Sequence, residues 1–264
     1  MNMKTRLLYL LPLAVLLWGC PSSDSETPEP EETCYLQTYT KFQPLGGNKK
    51  VAFSTKYTYN TQGQLTTVAL DSANVTLRTG QVSYDSQKRL SEIAYPNSKV
   101  VYTYNAQNQL TRQSRHIASG NGAYTENEYY TFAYGSKGHL SEARYHFAGT
   151  DQSSWYYTWK YTYNDSGNPT RIEMLDARGD RLSLTEISFD NHPSPQNSLP
   201  PGFFEPLLAA SAHNPVAVTV TNQHQGTLSF AVSYTYNPEG LPVSAVKTYG
   251  SGEQEQMAYT YTCF

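Results

Sequence analysis

The chain has 264 residues and a formal net charge of −3, and charged residues make up 16% of the sequence. This balance lacks the basic patch that recognises nucleic acid, so nucleic acid is not an expected partner. Tyrosine is unusually frequent, with 23 residues against 9 Phe and 3 Trp. Because tyrosine combines strand propensity with a hydroxyl that can remain hydrated, this composition favours a thin or two-sided β-sheet over a thick aliphatic core.

Residues 1–19 have the pattern of a bacterial export signal. Lys4 and Arg6 form a basic start, and the apolar run Leu7–Leu17 follows them. The run is short for a permanent membrane-spanning helix but suits a secretory signal. It ends in Leu-Trp-Gly-Cys, which resembles the lipobox of bacterial lipoproteins and implies that Cys20 becomes the lipidated first residue. The alternative is an ordinary signal peptide that a cysteine happens to follow.

Residues 20–33 form the next segment, the lipidated cysteine and a tether. The sequence "PSSDSETPEPEET" has no aliphatic residue, so it cannot bury apolar surface and is predicted to be disordered. Its acids resemble the export signal of surface lipoproteins of the Bacteroides type. The resemblance implies a protein that is lipid-anchored to the outer membrane and exposed at the cell surface, although any solvated tether would also be acidic.

A repeated unit fills residues 34–264, the predicted folded domain. One nine-residue pattern occurs four times, at Tyr57–Leu65, Tyr102–Leu110, Tyr161–Pro169 and Tyr234–Pro242. The two aromatic residues of Y-x-Y share one face of a strand, and the Asn that follows can start a turn. Gly or Asn three residues later suits a left-handed position, and Lys88 fits it less well. Each unit therefore predicts one β-hairpin with a bulge at its base, and the tyrosines are expected to form aromatic ladders across neighbours.

The hairpin unit resembles the YD repeat of RHS-type shell proteins. The resemblance covers most of Lys56–Phe264, where the chain looks like the YD-repeat lipoproteins of Bacteroides-type bacteria. It implies an architecture and an envelope location, and no activity. We therefore predict an all-β fold, a single antiparallel curved meander of YD-like hairpins. One short helix or loop insertion is expected near residues 200–213, where "GFFEPLLAASAHN" interrupts the repeats.

The two remaining cysteines stand at the ends of this domain. Cys34 precedes its first strand, and Cys263 is one residue from the end of the chain. In an oxidising envelope compartment this pair predicts a disulfide between the termini. Metal binding is not expected, because no His or Cys lies near either cysteine at ligand spacing.

The richest aromatic segment, "SWYYTWKYTYN", is the candidate ligand-binding surface. Trp155, Tyr157, Trp159 and Tyr161 alternate along one strand and are expected to share a face. Such a row of rings could stack on a glycan, and the competing interpretation is that the row is the core under the sheet. Ser72, in Asp71-Ser72-Ala73, matches the short O-glycosylation motif of Bacteroides-type envelope proteins.

The sequence contains no enzyme signature that we recognise, and no cofactor or metal is expected. We therefore favour a non-enzymatic binding or scaffolding role, with a glycan or a surface protein as partner and the membrane bound through the lipid. One alternative is an envelope hydrolase acting on glycans. It would need two converging carboxylates, for which the candidates are Glu126, Glu128, Glu173 and Asp176. Another alternative is a purely structural or assembly protein.

Overall fold

The computed structural model describes residues 32–44, 50–120, 122–149, 155–200, 203 and 211–264. The predicted signal peptide, Cys20 and the tether up to Glu31 lie outside these residues. Glu32–Phe264 forms one compact unit. Within the described part of the chain, no helix is long and apolar enough to cross a membrane.

The described residues form 16 β-strands and one 3-10 turn. The strands are β1 Cys34–Pro44, β2 Lys50–Tyr59, β3 Leu65–Ser72, β4 Val75–Tyr84, β5 Leu90–Tyr95, β6 Ser98–Tyr104, β7 Leu110–Ala118, β8 Tyr124–Tyr134, β9 Leu140–Phe147, β10 Tyr157–Tyr163, β11 Pro169–Asp176, β12 Arg181–Pro193, β13 His213–Asn222, β14 Gly226–Tyr236, β15 Pro242–Tyr249 and β16 Gln254–Cys263. The 3-10 turn is Pro195–Ser198. The prediction of an all-β fold is confirmed.

The sheet is a closed antiparallel barrel in which every strand pairs with its neighbours in sequence. The first strand closes onto the last, with a ladder that runs from Cys34 opposite Cys263 to Phe42 opposite Gln256. The predicted open, curved meander is therefore wrong, and so is the YD/RHS repeat architecture that the resemblance implied. The physical reason is that β1 and β16 satisfy each other's backbone groups, which leaves no free edge.

A disulfide joins the two strands that close the barrel. Cys34 and Cys263 are 229 residues apart in sequence, and their Cα atoms are 4.0 Å apart. They face each other in the β1–β16 ladder. The predicted disulfide is confirmed, and it lies at the seam where the sheet meets itself.

The repeated turns follow the predicted chemistry. In the first turn, the Asn60 side-chain oxygen accepts hydrogen bonds from the amides of Gln62 and Gln64, at 3.0 and 2.9 Å. Gly63 has a φ of 73°, and Lys88 adopts the same left-handed region at 62°. The register shifts at the base of the hairpin, so the predicted bulge is confirmed. Where a turn starts with Asn or Asp, as at Asn60 and Asp85, these side-chain bonds specify the hairpin locally.

The second tyrosine of a repeat connects its hairpin to the preceding one. Its hydroxyl donates to a backbone carbonyl near the start of the adjacent strand. These bonds, of 2.7 to 2.9 Å, are Tyr59 to Leu36, Tyr84 to Leu65, Tyr104 to Leu90, Tyr134 to Leu110 and Tyr261 to Pro242. We call this set the tyrosine belt. It joins neighbouring hairpins through hydroxyl-to-carbonyl bonds, in addition to the predicted aromatic contacts across strands, such as Tyr39 with Tyr259 and Tyr130 with Tyr145.

The barrel interior is packed with apolar and aromatic side chains. One buried cluster contains Tyr57, Leu65 and Val68, and another contains Trp159 and Tyr161. These residues alternate along their strands with exposed residues such as Lys160 and Thr162. Since successive side chains of a strand point to opposite faces, the apolar face is the inner one.

The outer wall is polar. Directly opposed residues share a face, and one row across five strands consists of Thr103, Arg112, Thr131, Arg144 and Thr158. A second row consists of Thr162, Arg171, Glu186, Thr219 and Ser229. Neither row contains an apolar residue. A neighbouring outer row contains Val101 and Tyr129 beside Glu92 and Ser114, so the barrel is apolar inside and mainly polar outside.

The segment that interrupts the repeats reaches the barrel interior. Leu199 belongs to a buried cluster, and the Ser198 hydroxyl accepts a hydrogen bond of 2.9 Å from the Leu36 amide. Phe203 packs against two of the buried clusters and lies edge-on to Tyr57. The insertion predicted near 200–213 falls mainly on residues 204–210, which lie outside the described residues.

Candidate functional site

The predicted aromatic row lies mostly inside the barrel. Trp159 is 5% exposed and Tyr161 is 8% exposed, and both belong to one core cluster with Ile172. Tyr157 packs against Tyr145 and Trp159. The structure therefore gives Trp159 and Tyr161 the core role that was the competing interpretation of this segment.

Trp155 does not share the face of the other three aromatic residues. Its ring lies 4.1 Å below the guanidinium of Arg144. Arg144 is opposite Thr158, on the outer face, whereas Trp159 and Tyr161 point inward. The expectation that all four residues share one face is wrong, because Trp155 lies before the first residue of β10 and its ring contacts an outer-wall side chain.

Ser72 ends strand β3 at a tight turn. The two residues after it, Ala73 and Asn74, have positive φ values of 49° and 66°. The preceding Asp71 is bonded to Lys56 at 2.6 Å, and this hydrogen bond holds the pKa of the Asp71 carboxyl below its usual range. O-glycosylation of Ser72 stays a prediction.

The candidate carboxylates of the hydrolase alternative are separated by the fold. Glu126 pairs with Arg112 at 2.7 Å on the outer wall, whereas Glu128 lines the interior. Strand β8 has a bulge between Glu126 and Glu128, so these two residues face opposite sides of the sheet although they are two positions apart. Glu173 pairs with Arg171 and Arg181. Among the described residues, no group of three His, Cys, Asp or Glu could hold a metal ion.

Two of the cavities formed by the described residues share the Tyr57 side chain in their linings. The first has a volume of about 350 Å³ and a mainly apolar lining, with Ile187, Val232 and Met257 among its residues. The second has a volume of about 370 Å³ and carries charged groups, so we call it the arginine cavity. Its lining consists of Thr55, Tyr57, Val68, Leu70, Arg78, Ile93, Tyr95, Ser98, Val100, Tyr102, Gln113, Arg115, Glu128, Tyr130 and Phe203.

Two guanidinium groups and one carboxylate face the arginine cavity. Arg78 lies over the Tyr95 ring, with 4.8 Å between its Cζ and the ring centre. Arg115 reaches Glu128 at 3.3 Å, and the other oxygen of Glu128 accepts a 2.6 Å bond from the Tyr145 hydroxyl. The described lining therefore carries one more positive charge than negative charge.

Gln113 and the tyrosines supply the neutral polar groups of the cavity. Burial raises the pKa of Tyr102, and a hydrogen bond with the Gln113 side chain acts in the opposite direction. The Gln113 Oε1 atom is buried and has no hydrogen-bond partner among the described residues. Burial also raises the pKa of Tyr95, which the nearby charge of Arg78 partly offsets.

The apolar cavity has one cation in its lining, Lys247. Its Nζ lies 3.6 Å from Glu255 and 3.9 Å from the centre of the Phe230 ring. Lys41 binds the other oxygen of Glu255 at 2.9 Å. Burial raises the pKa of Glu255, but hydrogen bonds with Lys41 and Tyr249 outweigh burial, so the pKa lies below its usual range. This cation is compensated, so the arginine cavity is the better candidate site.

Sequence reasoning missed the residues of the arginine cavity, although one of them was recognisable. Gln113 lies three residues after Leu110, where the corresponding repeats have Val68 and Ile93. A polar side chain at a position that is buried in the other hairpins is the signal that could have identified the site.

The chain was compared with known proteins. No protein-family model matches it, and no curated protein matches it. A porin-like protein from Bacteroides uniformis is similar in structure, with a TM-score of 0.58 and 16% identity over 85% of this chain and 96% of that chain. A porin-like protein from Bacteroides vulgatus matches with a TM-score of 0.52 and 11% identity, over 87% of this chain and 99% of that chain.

A TcdB2-TccC3-Cdc42 structure is matched over 82% of this chain and 13% of that chain, with a TM-score of 0.32 and 14% identity. The similarity is too low to support an inference. The two Bacteroides structures share the fold of this chain, and at these identities the likeness extends to the fold alone.

Proposed function

We propose that this chain is an envelope lipoprotein whose barrel stands in water and binds a ligand without catalysing a reaction. The observation that carries the proposal is the polarity of the barrel, which is charged on its outer wall and packed with apolar residues inside. The proposed location is the outer membrane, with the lipid on Cys20 as anchor and the acidic tether supporting exposure at the cell surface.

The outer wall is unsuited to hydrocarbon. A transmembrane barrel presents an apolar band to lipid, and Arg or Lys at the bilayer midplane costs about 2–4 kcal/mol each. Here Arg112, Arg144, Lys160 and Arg171 all project from the outer wall. Four such residues would together cost roughly 8–16 kcal/mol in the midplane, which is comparable to the whole stability of a domain. A barrel surrounded by water avoids this cost.

The interior also argues against a pore. Barrels of 16–18 strands in porins enclose an aqueous channel. In this 16-stranded barrel, the interior holds three buried clusters, and Leu199 and Phe203 of the interrupting segment pack against them. The likeness to porin-like proteins therefore covers the fold, and we do not extend it to conduction.

A binding role is favoured over the two alternatives by the arginine cavity. Its buried Gln113 oxygen, which has no hydrogen-bond partner among the described residues, is a costly feature for a purely structural barrel, because a buried polar group without a partner destabilises the fold. A hydrolase using paired carboxylates is less well supported, since Glu128 is the single carboxylate in the described lining of this cavity.

The location is tested by comparing the full chain with a form in which an ordinary secretory leader replaces residues 1–31. The exchange is suitable because Glu32–Phe264 is one compact unit that contains the whole barrel and its disulfide. We expect the full chain to incorporate labelled palmitate and to fractionate with the outer membrane. We expect the exchanged form to be released in soluble form from the periplasm and to be monodisperse without detergent.

Cys20→Ser in the full chain is the matched variant for lipidation, and it should lose the palmitate label. If the exchanged form instead stayed in the membrane fraction and needed detergent, the barrel wall would be in contact with lipid and the proposal would be refuted. A stepwise conductance in planar bilayers would contradict the filled interior.

A further inference from the structure

The arginine cavity contains a cation that no described group compensates. Arg78 makes its contact with the Tyr95 ring at 4.8 Å, and no acidic group of the described residues pairs with it. Arg115 has a single ion pair, with Glu128 at 3.3 Å. A guanidinium has five donors in a planar fork that fits a carboxylate with two parallel hydrogen bonds. Both arginine residues are exposed to solvent, and their remaining donors are available to an anionic group that enters the cavity.

The cavity also contains an acceptor that needs a donor. Gln113 Oε1 is buried and finds no partner in the part of the chain that the structure describes, and the Gln113 side chain is otherwise engaged with Tyr102. A buried acceptor without a hydrogen bond costs about 1–3 kcal/mol. An anion alone would not satisfy it, because an ionised carboxylate only accepts hydrogen bonds. An occupant that carries a hydroxyl or another donor beside its acid group would satisfy this oxygen.

The remaining walls offer flat aromatic surfaces. Tyr57, Tyr95, Tyr102 and Tyr130 line the cavity. Tyrosine presents an apolar ring to an apolar surface and a hydroxyl to a polar one. The volume of about 370 Å³ lies near the lower end of the range for ligand sites, which is about 300–1,000 Å³. The occupant is therefore small, polar on its edges and partly apolar on its faces.

We infer that the arginine cavity binds the ring of a sugar acid, a uronic acid being the simplest member of the class. Its carboxylate matches Arg78 and Arg115, a ring hydroxyl can donate to Gln113, and the C–H faces of the ring pack against tyrosine. The inference rests on the proposed function, because it names the ligand of the barrel proposed there. The same chemistry is present in a free sugar acid and at the end of an acidic glycan.

The test is a calorimetric titration of the full-length protein in a mild detergent. The probes are glucuronic and galacturonic acid, with glucose and galactose as the neutral counterparts. We expect saturable binding of at least one acid, at least about tenfold tighter than its neutral counterpart, since hydrogen bonds to charged groups contribute about 1.5–3 kcal/mol. Added salt should weaken binding of the acid and leave binding of the neutral sugars unchanged.

Variants of the two arginines identify the site. Arg78→Gln and Arg115→Gln should each weaken acid binding by about tenfold or more. The matched control is Arg178→Gln, because Arg178 lies at an exposed turn with its side chain 87% accessible, and this change should leave affinity unchanged. Glu128→Gln should tighten acid binding, since it removes the one carboxylate of the described lining. This opposite sign separates ligand recognition from a general loss of folding.

Gln113→Leu tests the donor requirement. It should lower affinity for the acid, because it removes the acceptor that a ligand hydroxyl would bond. It also removes the hydrogen bond between Gln113 and Tyr102, so thermal stability is measured in parallel to separate the two effects. An oligogalacturonide that binds more tightly than the monomer would indicate a glycan end, and equal affinities would indicate a free sugar acid.

Equal affinities for acidic and neutral sugars, or no binding of any acid, would overturn the inference. A protein that fractionates as a water-exposed lipoprotein and binds no acid would leave the proposed location intact. A protein embedded in lipid would refute that location through the fractionation experiment instead, so the two failures are distinguishable.

Discussion

Replacing one tyrosine of the belt by phenylalanine should measurably destabilise the barrel. The Tyr84 hydroxyl donates to the Leu65 backbone oxygen at 2.9 Å, and Leu65 is among the most deeply buried residues. Tyr84→Phe keeps the ring and removes the donor alone. The net loss of such a hydrogen bond is about 0.5–1.5 kcal/mol, and a carbonyl left without a partner adds to it, so we expect about 1–2 kcal/mol.

This loss can be measured by urea and thermal unfolding under non-reducing conditions. For a domain of this size, 1 kcal/mol corresponds to a shift in Tm of about 2–4 °C, so we expect a decrease of roughly 2–8 °C. The urea midpoint should fall while the m-value stays constant, because the exposed area on unfolding does not change.

The matched control for the belt is Tyr124→Phe. The Tyr124 side chain is 41% exposed, and its hydroxyl bonds to none of the described residues. A decrease in stability for Tyr84→Phe that is no larger than for this control would refute the role of the hydroxyl. The combined change of Tyr59, Tyr84 and Tyr104 should cost about 3–6 kcal/mol, because the three bonds lie in different hairpins and should add.

Three further predictions concern pH, redox state and turn geometry. Burial raises the pKa of Tyr104 to about 12, above the unfolded value of about 10. The contribution of Tyr104 to stability is therefore complete below pH 10 and is lost as the pH rises through about 12. Phenolate absorbance and circular dichroism should change together in this window, and full ionisation of the tyrosines near pH 10 in an intact fold would contradict the prediction. Reduction of Cys34–Cys263, which closes a loop with a sequence separation of 229, should lower the free energy of unfolding by roughly 5 kcal/mol, and an unchanged urea midpoint with a thiol reductant would refute this. Lys88→Gly should raise stability by about 1 kcal/mol, because Lys88 has a φ of 62°, and a lower Tm would show that the side chain contributes more than the backbone strain costs.

The sequence was sufficient to predict each hairpin, because the determinants of a turn are local. Asn60 and Gly63 act within one turn, through a side-chain bond and a left-handed backbone. The same is true of the bulge, which follows from the spacing between the turn and the next apolar residue. These features hold whether the sheet is open or closed.

Closure could not be derived from local pattern, since it depends on pairing between strands at opposite ends of the chain. The predicted disulfide nevertheless implied that the sheet closes. Cys34 and Cys263 lie on the first and last strands of a continuous antiparallel series, and joining those strands side by side closes the series. The prediction of an open meander uses the disulfide only as a link between the two chain ends. It does not use the disulfide to pair the first strand with the last.

The candidate site was only partly visible in the sequence. Gln113 breaks the apolar pattern of the repeat and could have been recognised. The opposite directions of Glu126 and Glu128 could not, because they depend on a bulge between these two residues in strand β8. A single inserted residue reverses which side chains face the interior, and periodicity along one strand does not reveal it.

The tyrosine belt has a consequence for how such a barrel can change its size. Each belt hydroxyl bonds to the adjacent strand of the preceding hairpin, as Tyr104 does to Leu90. A tandem duplication of one hairpin in the gene would therefore reproduce its own bond and leave those of the other hairpins unaltered. Because barrel diameter grows with strand number, each duplication would widen the circumference by two strands and enlarge the interior. The belt thus gives the fold a route to accommodate larger ligands by copying one unit, with no redesign of the rest.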